Sequence, residues 1–159
     1  MRKMTPSQAK NAIRRALVAI VDPHPNDSQI NRIWSFFGSS CAYCARTLVR
    51  GKRDAHVDHL APSGLGGSNA LSNFVLSCGI CNGDEKREEN WQSFLRRKTP
   101  DIGTFKRRKK CIELWITTCS DAPVCDSGLL QIVNREADRV ISSFNGAVKK
   151  VRALKTGGV

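Results

Sequence analysis

The chain contains no run of apolar residues approaching the ~18 that a membrane-spanning helix needs, and it contains no internal repeat, so a helical membrane protein and a repeat array are both excluded. Aromatic residues are sparse at 6%, and no aromatic RNP-type stretch of an RNA-binding sheet is present. The apolar run ALVAIV, residues 16–21, is too short for a secretory h-region. No acid precedes Asp22, so the basic, amphipathic N-terminus faintly imitates an organellar transit peptide. Thr5-Pro6-Ser7-Gln8 accounts for the same segment as a capped helix of the folded protein. The expectation is an intracellular protein, cytoplasmic or nucleoid-associated, with organellar targeting as the lesser alternative.

Acids are the other scarcity. Fourteen Asp and Glu stand against 26 Lys and Arg, a net charge of +12 over 159 residues. A surplus of that size points to a polyanionic partner, nucleic acid before an anionic membrane. The charge is uneven: +4 over residues 1–40, zero over 41–90, +7 over 91–110 and +1 over 111–159. A neutral centre beside a basic flank suggests a reactive module next to a surface that grips phosphates. Arg96, Arg97, Lys98, Lys106, Arg107, Arg108, Lys109 and Lys110 are the candidate DNA-binding residues. The alternative for this run is a solvated basic face.

Helical spacing predicts a first helix from about Thr5 to Ile20, ended by the turn DPHPND. A second carries Ile30, Ile33, Trp34 and Phe37 and stops at Gly38. After an irregular stretch from Cys41 to about Trp91, Phe105, Ile112, Trp115 and Ile116 mark a helix with a basic first half. A long final helix spans about Ser127 to Leu154, and the tail KTGGV is the one candidate for disorder. The apolar stripe of that last helix, Leu130 to Val151, could cover neighbouring helices or pair two chains as a homodimer. The expected domain plan is an N-terminal helical extension at 1–40, a central module at 41–91, and basic and amphipathic C-terminal helices at 92–159.

Cys41-x-x-Cys44 and Cys78-x-x-Cys81 form two matched pairs. Two intervening residues let both sulfurs of a pair face one tetrahedral site, and two such pairs complete four-coordinate Zn²⁺. Disulfides are the alternative, disfavoured inside a cell. Four thiolates leave no open position for water, so this zinc would be structural and the chemistry would lie elsewhere. Cys111, Cys119 and Cys125 lack paired spacing, and Cys111, inside a predicted helix, is expected to be buried.

Between the cysteine pairs runs V-D-H-L-x-P-x-x-x-G-G, then Ser72-Asn73-Phe74, then Leu76-x-Cys78-x-x-Cys81-Asn82. This order of motifs resembles the HNH endonuclease family in its zinc-bearing form, over Cys41 to about Glu89. The resemblance implies an α+β, ββα-metal fold: two short strands and a helix around one divalent cation, here wrapped by N- and C-terminal helices. The first strand would end at Val57-Asp58-His59, the second would include Phe74-Val75-Leu76, and the helix would begin near Gly79 and run through the glutamates. Asp58 is a hard oxygen ligand suited to Mg²⁺ or Mn²⁺, and Asn82, standing where the family name has histidine, can offer a second, neutral oxygen. His59, next to Asp58, would point to the opposite strand face. The resemblance makes His59 the general base and Asn73 the residue that braces the loop and helps orient it. His56 shares a strand face with Asp58, and its part is open between a metal or phosphate contact and an orienting or structural role. The chain departs from the family at Glu85, where a lysine is usual. Lys86 follows one residue later, and one α-helical step of about 100° would turn it off the family's phosphate contact.

The reading is a metal-dependent endonuclease hydrolysing duplex DNA to 5′-phosphate and 3′-hydroxyl ends, of restriction type or of homing or phage type. Its rivals are a non-catalytic, zinc-stabilised nucleic-acid-binding module and an RNA nuclease.

Overall fold

Local sequence signals set the elements. The computed structural model describes residues 4–119 and 126–156; Cys125 and the last three residues of the KTGGV tail lie outside them. Helix α1, Pro6–Val21, starts with Thr5 and Gln8 in a reciprocal capping box and proline in its first turn. Helix α2, Asp27–Phe36, repeats the device with Asn26 and Gln29. Strands β1, Ala55–His59, and β2, Phe74–Cys78, pair antiparallel. The chain between them contains 3₁₀ turns at Ser63–Leu65 and Leu71–Asn73. A π-helix, Ile80–Lys86, follows β2, and then come α3 (Trp91–Lys98), α4 (Ile102–Thr118) and α5 (Ser127–Lys155). The fold is α+β. Sequence periodicity does not separate α3 from the irregular centre; Asn90 caps it through the backbone amides of Gln92 and Ser93.

The chain forms two compact units. Residues 24–124 make one, which takes in α2, α3 and α4 together with the sheet. Its core gathers Ile33, Tyr43, Phe74, Val75, Leu76, Phe94, Leu95, Ile112 and Trp115, all fully buried. Trp115 anchors the centre, donating its indole N–H to the Phe74 carbonyl at 2.6 Å and packing on Phe36 and Phe37. Residues 1–23 and 125–159 make the second unit, in which α1 packs along α5. There Arg14 bonds Asn134 and Asp138, and Ala137 is fully buried. Val140 and Val151, read as part of the α5 stripe, are exposed.

Cys111 is exposed, contrary to the expectation of burial. The buried stripe of α4 runs through Phe105, Ile112, Trp115 and Cys119, and Cys111 sits one residue, about 100°, away from Ile112. Among the described residues no helix is long and apolar enough to cross a membrane.

Candidate functional site

The cysteine quartet assembles from two reversals of the chain. Before the first pair, Gly38 and Ser39 have positive φ, and after it Ala45 does (φ 61°). The chain there turns back so that the Ala45 amide meets the Cys41 carbonyl at 2.8 Å, and Ser40 bridges to Thr47. The second pair sits at the end of β2 and in the first turn of the π-helix, where the Cys81 amide points at the Cys78 sulfur, 3.5 Å away. The Ala42 amide bonds the Leu76 carbonyl at 2.8 Å and ties one reversal to the other. One sulfur from each of Cys41, Cys44, Cys78 and Cys81 lies within 4.8 Å of all the others, and Cys44 and Cys78 are 3.7 Å apart. Zn–S bonds of about 2.3 Å in a tetrahedron put sulfurs about 3.8 Å apart, so the quartet fits structural zinc. All four cysteines are free thiols. The Cys81 thiol, hydrogen-bonded to Cys41, holds the Cys41 thiol down to about 4, while burial pushes Cys44 up to about 11. One sulfur of the cluster thus ionises readily and its charge opposes the next; a dication is what lets all four ionise.

Asp58 and His59 occupy the end of β1, opposite Val75 and Phe74, and strand alternation sends them to opposite faces. Asp58 is buried. Its Oδ2 accepts from the Tyr43 hydroxyl at 3.2 Å and lies 3.3 Å from the Lys86 ammonium. Burial pushes the Asp58 carboxyl above its usual range, although Lys86 and Tyr43 pull the other way. Burial and the Asp58 charge likewise raise the Tyr43 phenol well above its usual value, which keeps it a donor. Among the described residues no side chain or backbone group hydrogen-bonds Oδ1 of Asp58 or the side chain of Asn82. A carboxylate and an amide oxygen are hard donors of the kind that Mg²⁺ or Mn²⁺ takes.

His59 packs its ring on Phe74, with centroids 4.1 Å apart, and places Nε2 2.9 Å from Oδ1 of Asn69. With the Asn69 amide oxygen turned to the ring, Nε2 would be the donor of this bond, and Nδ1 makes no part of it. Asn73 works one step further out. It accepts from the Ala61 amide and donates to the Ala61 and Ser68 carbonyls, closing the loop that carries Asn69. The glycines of the motif serve the same loop: Gly66 has φ 86°, and a Cβ on Gly67 would sit 1.9 Å from the Ala61 carbonyl oxygen. His56 is exposed at the other end of β1, beside Gly79.

Lys86 faces inward. It is the last residue of the π-helix and fully buried, bonding the His59 carbonyl at 2.7 Å as well as pairing with Asp58. A π-helix advances about 80° per residue, so four steps from Asn82 sweep roughly 330°, close to the 300° of three α-helical steps. Arg87, with φ 47°, ends the helix there, leaving Glu88 and Glu89 outside it. Sequence reasoning does not reach Tyr43, Asn69 or Lys86 as site residues; the only signal for any of them is the family's lysine, displaced by one.

The basic residues divide. Arg108 donates to the Tyr43 and Cys44 carbonyls at 2.7 and 3.2 Å, bracing the cysteine turn. Arg96 bonds the Thr99 and Pro100 carbonyls, Arg97 pairs with Glu89, Lys98 with Glu85 and Lys109 with Glu113. Lys106, Arg107 and Lys110 are exposed on α4 without an ion pair to any described residue.

No curated protein matches the chain. Residues 41–88, which carry the cysteine quartet, Asp58, His59, the loop asparagines and Lys86, match the family model for HNH endonuclease, consistent with the HNH family.

Proposed function

We propose that the chain is a metal-dependent endonuclease that hydrolyses phosphodiester bonds of duplex DNA, with 41–91 as the nuclease module and the helices of 1–40 and 92–159 as its flanks. The observation that carries this is the pairing of His59 with Asn69 on one face of β1 while Asp58 presents a carboxylate on the other. A histidine fixed through Nε2 offers Nδ1 to an attacking water, and an imidazole accepts that proton near neutral pH. Asn73 holds the loop, so the Asn69 contact survives as substrate arrives. Asp58 and Asn82 would hold Mg²⁺ or Mn²⁺. When bound, that cation supplies positive charge opposite the charge developing on the scissile phosphate and its leaving oxygen. Arg96, Arg97, Lys98, Lys109 and above all the exposed Lys106, Arg107 and Lys110 would supply phosphate contacts, while Arg108 of the same run is engaged by the cysteine turn. A restriction or a homing role suits this chemistry equally, and both place the protein inside a cell.

A second reading, a non-catalytic zinc-stabilised nucleic-acid-binding module, draws on the ion pair of Asp58 with Lys86, which neutralises the carboxylate internally. Supercoiled plasmid incubated with the purified protein and Mg²⁺ or Mn²⁺ separates the two. Nicking or linearisation that EDTA abolishes supports the nuclease. Tight DNA binding without cleavage under any metal or pH selects the binding module.

A further inference from the structure

Both internal partners of Asp58 act on the same oxygen. Tyr43 and Lys86 each address Oδ2, and Oδ1 has no hydrogen-bond partner among the described residues and is not among the buried unpaired oxygens. Tyr43 is the unusual member, because it lies between Cys41 and Cys44, within the zinc turn itself. It is fully buried, its ring meets Phe94 edge-on at 5.0 Å, and Arg108 of α4 grips its carbonyl at 2.7 Å. The same turn is pinned to β2 by the Ala42 amide, and β2 is the pairing partner of the strand that carries Asp58. The hydroxyl is therefore fixed from α3, α4 and the sheet at once. It points at a carboxylate 15 residues away.

From this geometry we propose that Tyr43 is a positioning residue of the hydrolytic centre, orienting Asp58 so that Oδ1 is presented to the divalent cation and joining the zinc site rigidly to the hydrolytic one. The proposal rests on the reading of Asp58 as a cation ligand. Groups that orient a metal-binding carboxylate commonly change metal affinity by about 10- to 100-fold when removed. Lys86 shares the oxygen but carries a positive charge, which opposes a second cation on the same carboxylate. Loss of the two partners should therefore move cation affinity in opposite directions, whereas simple damage to the fold would lower it in both.

The test uses the full-length zinc-loaded protein and Mn²⁺ binding measured by paramagnetic resonance or calorimetry, with zinc content and melting followed in parallel. Tyr43→Phe keeps the ring and should keep one zinc per chain while weakening Mn²⁺ binding by about tenfold or more. Lys86→Gln should tighten it. Since Tyr43 is the chain's one tyrosine, a ring-labelled sample gives a single signal, which should shift on Mg²⁺ titration of the wild type and stay still in Asp58→Asn. Mn²⁺ affinity of Tyr43→Phe within twofold of wild type would overturn the proposal. So would loss of zinc in that variant, which would assign the hydroxyl to the cysteine turn alone, or weakened binding in both Tyr43→Phe and Lys86→Gln. Asp58→Asn distinguishes the failures: if it binds Mn²⁺ like wild type, the reading of Asp58 itself falls and the Tyr43 proposal falls with it.

Discussion

At the scale of single residues, Tyr43 and Lys86 meet Asp58 at Oδ2, and Asn69 meets His59 at Nε2. His59→Ala should abolish cleavage while DNA affinity and zinc content persist, because a base contributes to rate and not to grip. Cleavage within tenfold of wild type would remove His59 as the essential base. Asn69→Ala should lower kcat by about tenfold or more with KM little changed, since it releases the ring without touching the phosphate grip; a change confined to KM would place Asn69 in DNA contact instead. Asp58→Ala has two consequences that must be read apart. It should lose the divalent cation, seen as lost Mn²⁺ binding, and it also strands Lys86, fully buried, without its counter-ion. Removing one partner of a buried pair costs about 3–5 kcal/mol, so denaturant unfolding should show a large destabilisation in Asp58→Ala and a smaller one in Asp58→Asn. Equal stability of all three proteins would mean that the Lys86 pair contributes nothing to the fold.

At the scale of elements, the cysteine turns, the glycine loop and the π-helix each do a separable job. Cys78 closes β2 against both cysteine pairs, and metal binding at such a quartet is folding free energy. Cys78→Ser should therefore lose zinc and become insoluble or melt broadly, and a soluble, zinc-free, active variant would contradict the structural role. The π-helix invites a deletion. Removing Gly83, whose surroundings are open, would bring the lysine three residues after Asn82, where ordinary α-winding reaches the same side. Zinc content and Mn²⁺ affinity should survive that deletion, whereas the deletion of Lys86 itself should not be tolerated. Loss of zinc on deleting Gly83 would show that the wide turn serves something besides the lysine's register.

At the scale of the whole molecule, a net charge of +12 divides between residues that hold the fold and residues left exposed, and the proposed DNA grip belongs to the second group. Arg108 belongs to the first group through its bonds to the cysteine turn. Neutralising Lys106, Arg107 and Lys110 together should weaken binding to all DNA sequences alike. The slope of log affinity against log salt should shrink by about 0.9 for each phosphate that is no longer neutralised. An unchanged slope would move the DNA surface elsewhere. Arg108→Gln should instead lower the melting temperature. The α1 and α5 unit bears on stoichiometry: two packed helices bury Ala137 completely but leave Leu129, Ile132, Val140, Val151 and Leu154 exposed. A homodimer through this unit would present two hydrolytic centres to a symmetric site. Sedimentation at micromolar concentration should show it, and a strict monomer with and without DNA would leave a nicking enzyme.

By itself the sequence determined what short-range spacing can encode. Two-residue gaps announced the cysteine quartet, period-two alternation put Asp58 and His59 on opposite faces, and Thr5, Gln8 and Gly38 marked helix ends. These signals need only a few neighbouring residues to be physically complete. The exposure of Cys111 is legible in the same way, because the 105–112–115–119 stripe excludes it, and an expectation of burial ignores that period. Tertiary structure decided the rest. Tyr43 reaches Asp58 across 15 residues, Lys86 reaches the His59 carbonyl across 27, and Arg108 reaches the cysteine turn across 64 and 65. Nothing local states those distances. Lys86 shows the physical reason most plainly: its direction depends on the angle turned per residue, and a π-winding changes that angle without changing a single letter of the segment.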